Sequence, residues 1–427
     1  MKSRFWSVLF WMVIAAAFIG PGTVTTAAAS GARFGYSLLW ALLFSTLACI
    51  VLQESAARVT IVSGKTIGEA IKRNYRSNRN AWLVAISIFL GCAAYEAGNI
   101  LGAISGLALV ITGVHKAIFS GIIVVTCAAV LWLGKTATVA NVMGLVVAVM
   151  GFSFLIAGLS VPLQGGPLLQ GLFVPSFPKD GIILTLGLVG TTIVPYNLFL
   201  GSGLAKEQDL KSMRFGLVFA ILLGGIISMG IMLAGTTITG EFSFEHLAAA
   251  LIAQNGSWMA IVFAVGLFAA GFTSSITAPL AAALTLKSVS GEGAGWTEKG
   301  VGYRLTWGIV LLTGLVFGAT GVKPVPVIIL AQAANGLILP VIAIFLWMLC
   351  NNRGLMNQHL NGTFMNLAMT VTVWVASLLG FINLFKAINS ALGSTFAFEG
   401  SVKWVLLLLA TIVTGAAGFY VQKERKK

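Results

Sequence analysis

Two of the apolar runs in this chain are broken near their middle by proline, and that pairing constrains the fold more than any other feature. The first breaks at Gly20-Pro21-Gly22-Thr23, between Phe5–Ile19 and Val24–Ala32. The second breaks at Val194-Pro195-Tyr196-Asn197, inside a run from about Gly181 to Leu204. Proline has no amide donor and its ring clashes with the preceding turn, so each helix opens there and frees several backbone groups. In lipid, such groups persist only where they face protein or a water-filled cavity. Matching breaks in two halves of a membrane chain point to a binding site at the midplane.

Composition assigns the class. Of 427 residues, 58% are hydrophobic and 9% charged, with mean hydropathy +0.97, far from a soluble domain. Twelve spans of roughly 20 residues or more are expected, starting near Phe5, Ser37, Ala81, Ala117, Ala137, Gly181, Phe215, Ser257, Leu305, Val325, Thr363 and Lys403. An even count puts both termini on one side. Of 26 Lys and Arg, only Arg33, Lys116, Lys179, Lys323, Lys386 and Lys403 fall in outer segments. That bias makes the termini cytoplasmic and the expected location a bacterial inner membrane. It also explains the net charge of +14 without a nucleic-acid partner. The basic run Lys72, Arg73, Arg76 and Arg79 reads as a topology signal and an anionic-lipid contact.

The first span, with Lys2 and Arg4 before it and Ala27-Ala28-Ala29 after, also fits a cleavable signal peptide. The even span count requires its retention. The four cysteines (Cys49, Cys92, Cys127, Cys350) lie within or at the end of spans without metal-ligand spacing, which suits small apolar fillers. No cofactor motif or nucleophile–base pair is present, which argues against an enzyme. Oligomeric state is left open.

A Pro/Gly-rich loop, Val161–Asp180, separates five spans from the next five. The expected organisation is a first repeat over 1–165, an inverted second repeat over 166–352, and an accessory pair over 353–427. Each repeat then opens with a broken helix. Phe242–Asn255 reads as a short external amphipathic helix with Glu245 and His246 on its polar side.

Only two acidic residues, Glu54 and Glu96, fall within spans. Glu54 has Arg58 one turn later, the favourable order for a structural ion pair. Glu96 has no such partner and shares a face with Asn99 and Ala103, while Gly98 and Gly102 allow a neighbouring helix to approach closely. An intramembrane carboxylate is costly, which makes Glu96 a candidate to bind and release a proton. All three histidines (His115, His246, His359) lie in connecting segments, so no imidazole relay is available. Gln332 and Asn335 share one face of the tenth span, lining a pathway or joining a buried network. Thr273, Ser274, Ser275 and Thr277 are expected to bond back to their own helix.

From about Trp11 to at least Pro340 the chain resembles the Nramp family of metal-ion transporters. The anchors are Gly20-Pro21-Gly22-Thr23 with Ser30–Tyr36, Leu52-Gln53 with Ala57-Arg58, Ser63-Gly64-Lys65, Gly190–Leu198, and Gln332 with Leu339-Pro340. The resemblance implies an all-α integral membrane fold, a LeuT-like 5+5 inverted repeat with about twelve helices, and alternating access. It also implies secondary-active, proton-linked transport of a divalent cation.

The departures fall on the chemistry. The family's Asp-Pro-Gly-Asn is here Gly20, Pro21, Gly22, Thr23; its Met-Pro-His is Val194, Pro195, Tyr196. Its third-helix Asp is matched by Glu96, a nearby Glu by Asn99, and a second sixth-helix His by Gly201. The usual ligand positions are therefore Gly20, Thr23, Thr191 and Val194. Without Asp charge or Met sulfur, tight binding of Mn²⁺ or Fe²⁺ loses its basis. The implied substrate positions are Gly20, Gly22, Thr23, Thr191, Val194, Tyr196, Asn197 and Gln332, with Glu96 and Asn99 for proton coupling. By scaffold the substrate is a divalent cation, hard and hydrated. The alternative is a small neutral or zwitterionic solute at the exposed amides of the second half-helix. A non-transporting membrane receptor is the remaining class.

Overall fold

The computed structural model describes residues 4–75, 78–133, 136–179, 181–291, 293–391 and 398–426, almost entirely as helix. The first half holds α1 (Arg4–Phe18), α2 (Pro21–Phe34), α3 (Leu39–Ser63), α4 (Ile67–Asn74), α5 (Asn78–Ala108), α6 (Lys116–Leu133) and α7 (Thr136–Leu159). Then come α8 (Gly165–Phe173), α9 (Ile182–Thr192), α10 (Pro195–Leu204), α11 (Leu210–Gly235), α12 (Phe244–Asn255) and α13 (Trp258–Ser290). The chain finishes with α14 (Val301–Ala319), α15 (Pro324–Cys350), α16 (Arg353–Met356), α17 (Thr363–Ala391) and α18 (Gly400–Lys426). Among the described residues nine helical segments are each long and apolar enough to cross a membrane, α9 and α10 counting together as one. The bent pairs α1/α2 and α15/α16 raise this to eleven, and α7, with a shorter apolar stretch over Met143–Leu159, stands where the remaining expected span falls.

Both breaks are made the same way. Pro21 and Pro195 occupy the first turn of α2 and α10, where a missing amide costs nothing and the fixed φ suits a helix start. The residue before each is pushed out of the helical region: Gly20 sits at φ −104°, ψ −176° and Val194 at φ −84°, ψ 122°. The α1 and α2 axes differ by 65°.

Glycine sets the closest packing. A Cβ at Gly106 of α5 would meet backbone of Ala264 and Phe268, and one at Gly271 of α13 would meet backbone of Asn99 and Ala103. The two helices therefore run antiparallel almost in backbone contact. Gly98 faces Ile328 of α15, and Gly102 lies against the Pro21 ring, which braces the first break. Large apolar side chains such as Leu83, Ile122, Val125, Phe152 and Leu408 point outward, as a lipid-facing surface requires.

Glu54 is a structural ion pair, and Arg58 is only part of it. Arg58 Nε reaches both carboxylate oxygens at 3.1 Å, and Arg214 Nε of α11 reaches Oε1 at 2.9 Å. The four cysteines are buried and unpaired. The short helix expected over Phe242–Asn255 is α12 (Phe244–Asn255), capped by Ser243, with Glu245 and His246 exposed. The side chain of Asn335, and Lys2 and Arg76 altogether, lie outside the described residues.

Candidate substrate site

The open end of α1 leaves the carbonyls of Ala16, Ala17 and Phe18 without amide partners, and a hydroxyl meets each of them. Ser274 Oγ donates to Ala16 O at 3.2 Å, Tyr196 OH to Ala17 O at 3.0 Å, and Thr23 Oγ1 to Phe18 O. One turn deeper, Asn197 Nδ2 donates to Ile14 O at 3.0 Å. The donors come from α13, α10 and α2, so the break in α1 is satisfied by elements far apart in the chain. This corrects the expectation for Ser274, which bonds across to α1. Thr273 and Thr277 do bond back to their own helix, whereas Ser275 is turned toward Glu96 of α5. Helix packing decides the difference, since Ser274 alone of the four is turned toward a free carbonyl.

Beside these carbonyls is a cavity of about 10 Å³, the scale of one water. Ala17, Phe18, Gly20, Gly22 and Thr23 form one wall. Tyr95 and Asn99 of α5, Thr191 of α9 and Tyr196 of α10 form others, with Ser274 and Gln332 completing it. One hydrogen-bonded chain crosses the space. Tyr95 OH donates to Gln332 Oε1 at 2.5 Å, Gln332 Nε2 donates to Thr191 Oγ1 at 3.1 Å, and Thr191 Oγ1 lies 2.8 Å from Thr23 Oγ1. Tyr95 and Tyr196 meet edge to face with ring centroids 5.6 Å apart. Gly22 is required here, because a Cβ would fall on the Gln332 amide; at Gly20 it would stand 2.8 Å from Ser274 Oγ.

Of the residues singled out in the sequence, Gly20, Gly22, Thr23, Asn99, Thr191, Tyr196, Ser274 and Gln332 line this cavity. Val194, Asn197 and Glu96 are buried but do not line it. Glu96 lies behind Asn99, whose Nδ2 donates to Oε2 at 3.3 Å, with the Ser275 hydroxyl of α13 also beside the carboxylate. Tyr95, Ala17 and Phe18 carry no local signal that marks them in the sequence. Among the described residues no group of three His, Cys, Asp or Glu is placed to hold a metal ion. The lining is neutral and mostly oxygen-bearing, so it can orient a small hard ligand but offers neither formal charge nor a soft donor.

Comparison with known proteins agrees with this architecture. The family model described as natural resistance-associated macrophage protein-like (Nramp) matches residues 11–386. A divalent metal cation transporter MntH of Verminephrobacter eiseniae is 26% identical over 396 residues, covering 87% of this chain and 86% of that protein. The MntH of Bacillus subtilis is 24% identical over 408 residues, covering 88% and 91%. In fold, the chain is similar to the Eremococcus coleocola manganese transporter, with TM-score 0.75 and 19% identity over 99% of this chain and 97% of that one. It is also similar to Mhp1, a nucleobase-cation-symport-1 family transporter, with TM-score 0.58 and 16% identity over 98% and 92%. The Nramp family model matches residues 11–386, a stretch that includes both proline-broken spans and the cavity they wall, and this chain belongs to the Nramp family.

Proposed function

We propose that this protein is a secondary-active membrane carrier that moves a small, hard cation by alternating access to the cavity between the two broken helices. The observation that carries the reading is the lining itself: a water-sized space ringed by carbonyl and hydroxyl oxygens at the partly negative end of α1. Mn²⁺ or Fe²⁺ held tightly would need the charge and sulfur that Gly20 and Val194 lack. A hydrated ion enters once the half-helices part, and sheds water as they close. In this reading 1–165 and 166–352 are the inverted repeats, 353–427 the accessory pair, and both termini face the cytoplasm of a bacterial inner membrane. Glu96, through Asn99, carries the coupled proton.

A second reading rests on one observation: the start of α2 at Gly20 has no side-chain cap, and a carboxylate suits such amides. A small zwitterion would then be the cargo.

Thermal shifts of the detergent-purified protein against Mg²⁺, Mn²⁺, Ca²⁺, Cd²⁺ and small amino acids separate the two. A ligand selective for the native state stabilises it by about 2.7 kcal/mol at a hundredfold excess over Kd. A shift with one hard divalent ion, lost in Thr23→Val, supports cation transport; shifts confined to carboxylate-bearing solutes overturn it. Unchanged pH dependence of transport in Glu96→Gln would remove the proton link.

A further inference from the structure

A second polar chain lies away from the cavity, on the face where α1 begins and α18 ends. Arg58, 3% exposed, spends its guanidinium in two directions. Toward its own helix it holds Glu54; away from it, Nη1 donates to His359 O and Nη2 to Asn361 Oδ1, each at 2.5 Å. Glu54 in turn binds Arg214, so one carboxylate joins α3 to α11. These helices pack directly on the broken spans, α3 against α9 and α10, and α11 against α1 and α2.

The chain continues past Asn361. Its carbonyl accepts Arg425 Nη2 at 2.8 Å, and Asn352 Nδ2 donates to Glu424 Oε2 at 2.6 Å. Glu424 and Arg425 belong to the last turn of α18, and Glu424 is only 6% exposed. The clamped turn, 351–361, reverses at Asn357, which has φ +47°. On its other side an open cavity of about 430 Å³, lined by Ile61, Val62, Leu210 and residues 357–359, leaves the turn room to move.

We propose that the last turn of α18 is a latch: it clamps the 351–361 turn and, through Arg58 and Glu54, holds α3 and α11 in the closed arrangement. The idea rests on the alternating-access reading only in what the latch is for. With the latch released, the 351–361 turn swings toward the open cavity, Arg58 loses its outer partners, and this face opens toward the broken helices.

Cys350 is a built-in reporter. It ends α15, is fully buried, and its Sγ lies 3.8 Å from Ser55 O of α3, inside the latched region. The experiment compares two single-cysteine proteins in detergent, one keeping only Cys350 and one only Cys92, each labelled with a maleimide. Arg425→Ala and Asn352→Leu release the clamp from opposite sides. Lys423→Ala, an exposed position in the same turn, is the control. The expected result is Cys350 labelling at least about tenfold faster in both release variants, an opening equilibrium displaced by about 1.4 kcal/mol, with Cys92 still protected and the control unchanged. Unaltered Cys350 labelling overturns the latch. Equal acceleration at Cys92 also overturns it, because the end of α18 would then support the whole fold. No transported substrate enters the measurement, so its outcome is independent of what the cavity carries.

Discussion

Thr23 Oγ1 and Thr191 Oγ1 lie 2.8 Å apart, joining the half-helix after the first break to the half-helix before the second. Thr23 also holds the Phe18 carbonyl, and Thr191 also accepts from Gln332. The closed cavity is therefore shut by direct contact between the two broken spans. Any molecule that opens or fills it must replace those hydroxyl contacts.

Thr23→Val should lower stability by about 1–3 kcal/mol, because it strands a buried carbonyl. Combined with Thr191→Val, the loss should be sub-additive by about 0.5 kcal/mol or more, as expected for two residues sharing one network. Thermal denaturation of the four proteins in detergent measures this cycle. Strictly additive losses would mean the pair does not hold the cavity shut.

Gly22→Ala should be destabilising by about 1–3 kcal/mol through overpacking, since the methyl displaces the Gln332 amide. Gln332→Ala vacates that space. The double variant should therefore be no less stable than Gln332→Ala alone, by the same denaturation measurement. A double variant worse than both singles would place the clash elsewhere.

The Glu54 cluster predicts a rank order. Glu54→Ala leaves buried Arg58 uncompensated and should cost about 3–5 kcal/mol. Arg214 is half exposed, with 51% of its side chain accessible, and Arg214→Ala should cost no more than about 1 kcal/mol. Arg58→Ala should fall nearer the Glu54 value. Equal losses for the two arginines would contradict the assignment of Arg58 as the buried partner.

Tyr75, at the end of α4, gives a pH dependence. Burial, and then the carboxylate of Glu424, push its phenol well above the usual range. The unfolded chain ionises this group near pH 10 while the folded protein keeps it protonated. Its contribution is thus fully present below about pH 10 and is lost as pH rises beyond it. The hydroxyl has no hydrogen-bond partner among the described residues, so Tyr75→Phe should leave neutral-pH stability nearly unchanged and flatten the alkaline decline. Melting temperatures from about pH 8 to 11 test this; parallel curves for the two proteins would refute it.

Much of the site is legible in the sequence because its strongest signals are local. Pro21 and Pro195 act within a single turn, so the breaks follow from sequence. The motif residues around them gather at one cavity, Gly20, Gly22, Thr23, Thr191 and Tyr196 among them. Val194 and Asn197 belong to the same motif yet do not line the cavity. Val194 ends the break as the residue before α10, and Asn197 serves the Ile14 carbonyl. Tyr95 is hidden because its partner, Gln332, is 237 residues away. Ser274 departs from its expected bond because a serine in a helix can bond either backward or outward, and only a neighbouring carbonyl settles which.

The sequence by itself determined the membrane class, the helical order and both breaks, since hydropathy and proline geometry act over neighbouring residues. Tertiary structure alone decided which hydroxyl meets each freed carbonyl, that Arg58 and Arg214 share Glu54, and that the end of α18 reaches Asn352 and Asn361. Helices apolar on nearly every side give little contrast between faces. Their rotation, and hence the pairing of their few polar groups, is set by glycine contacts such as Gly106 against Ala264 and Gly271 against Asn99, which exist only once the helices are packed.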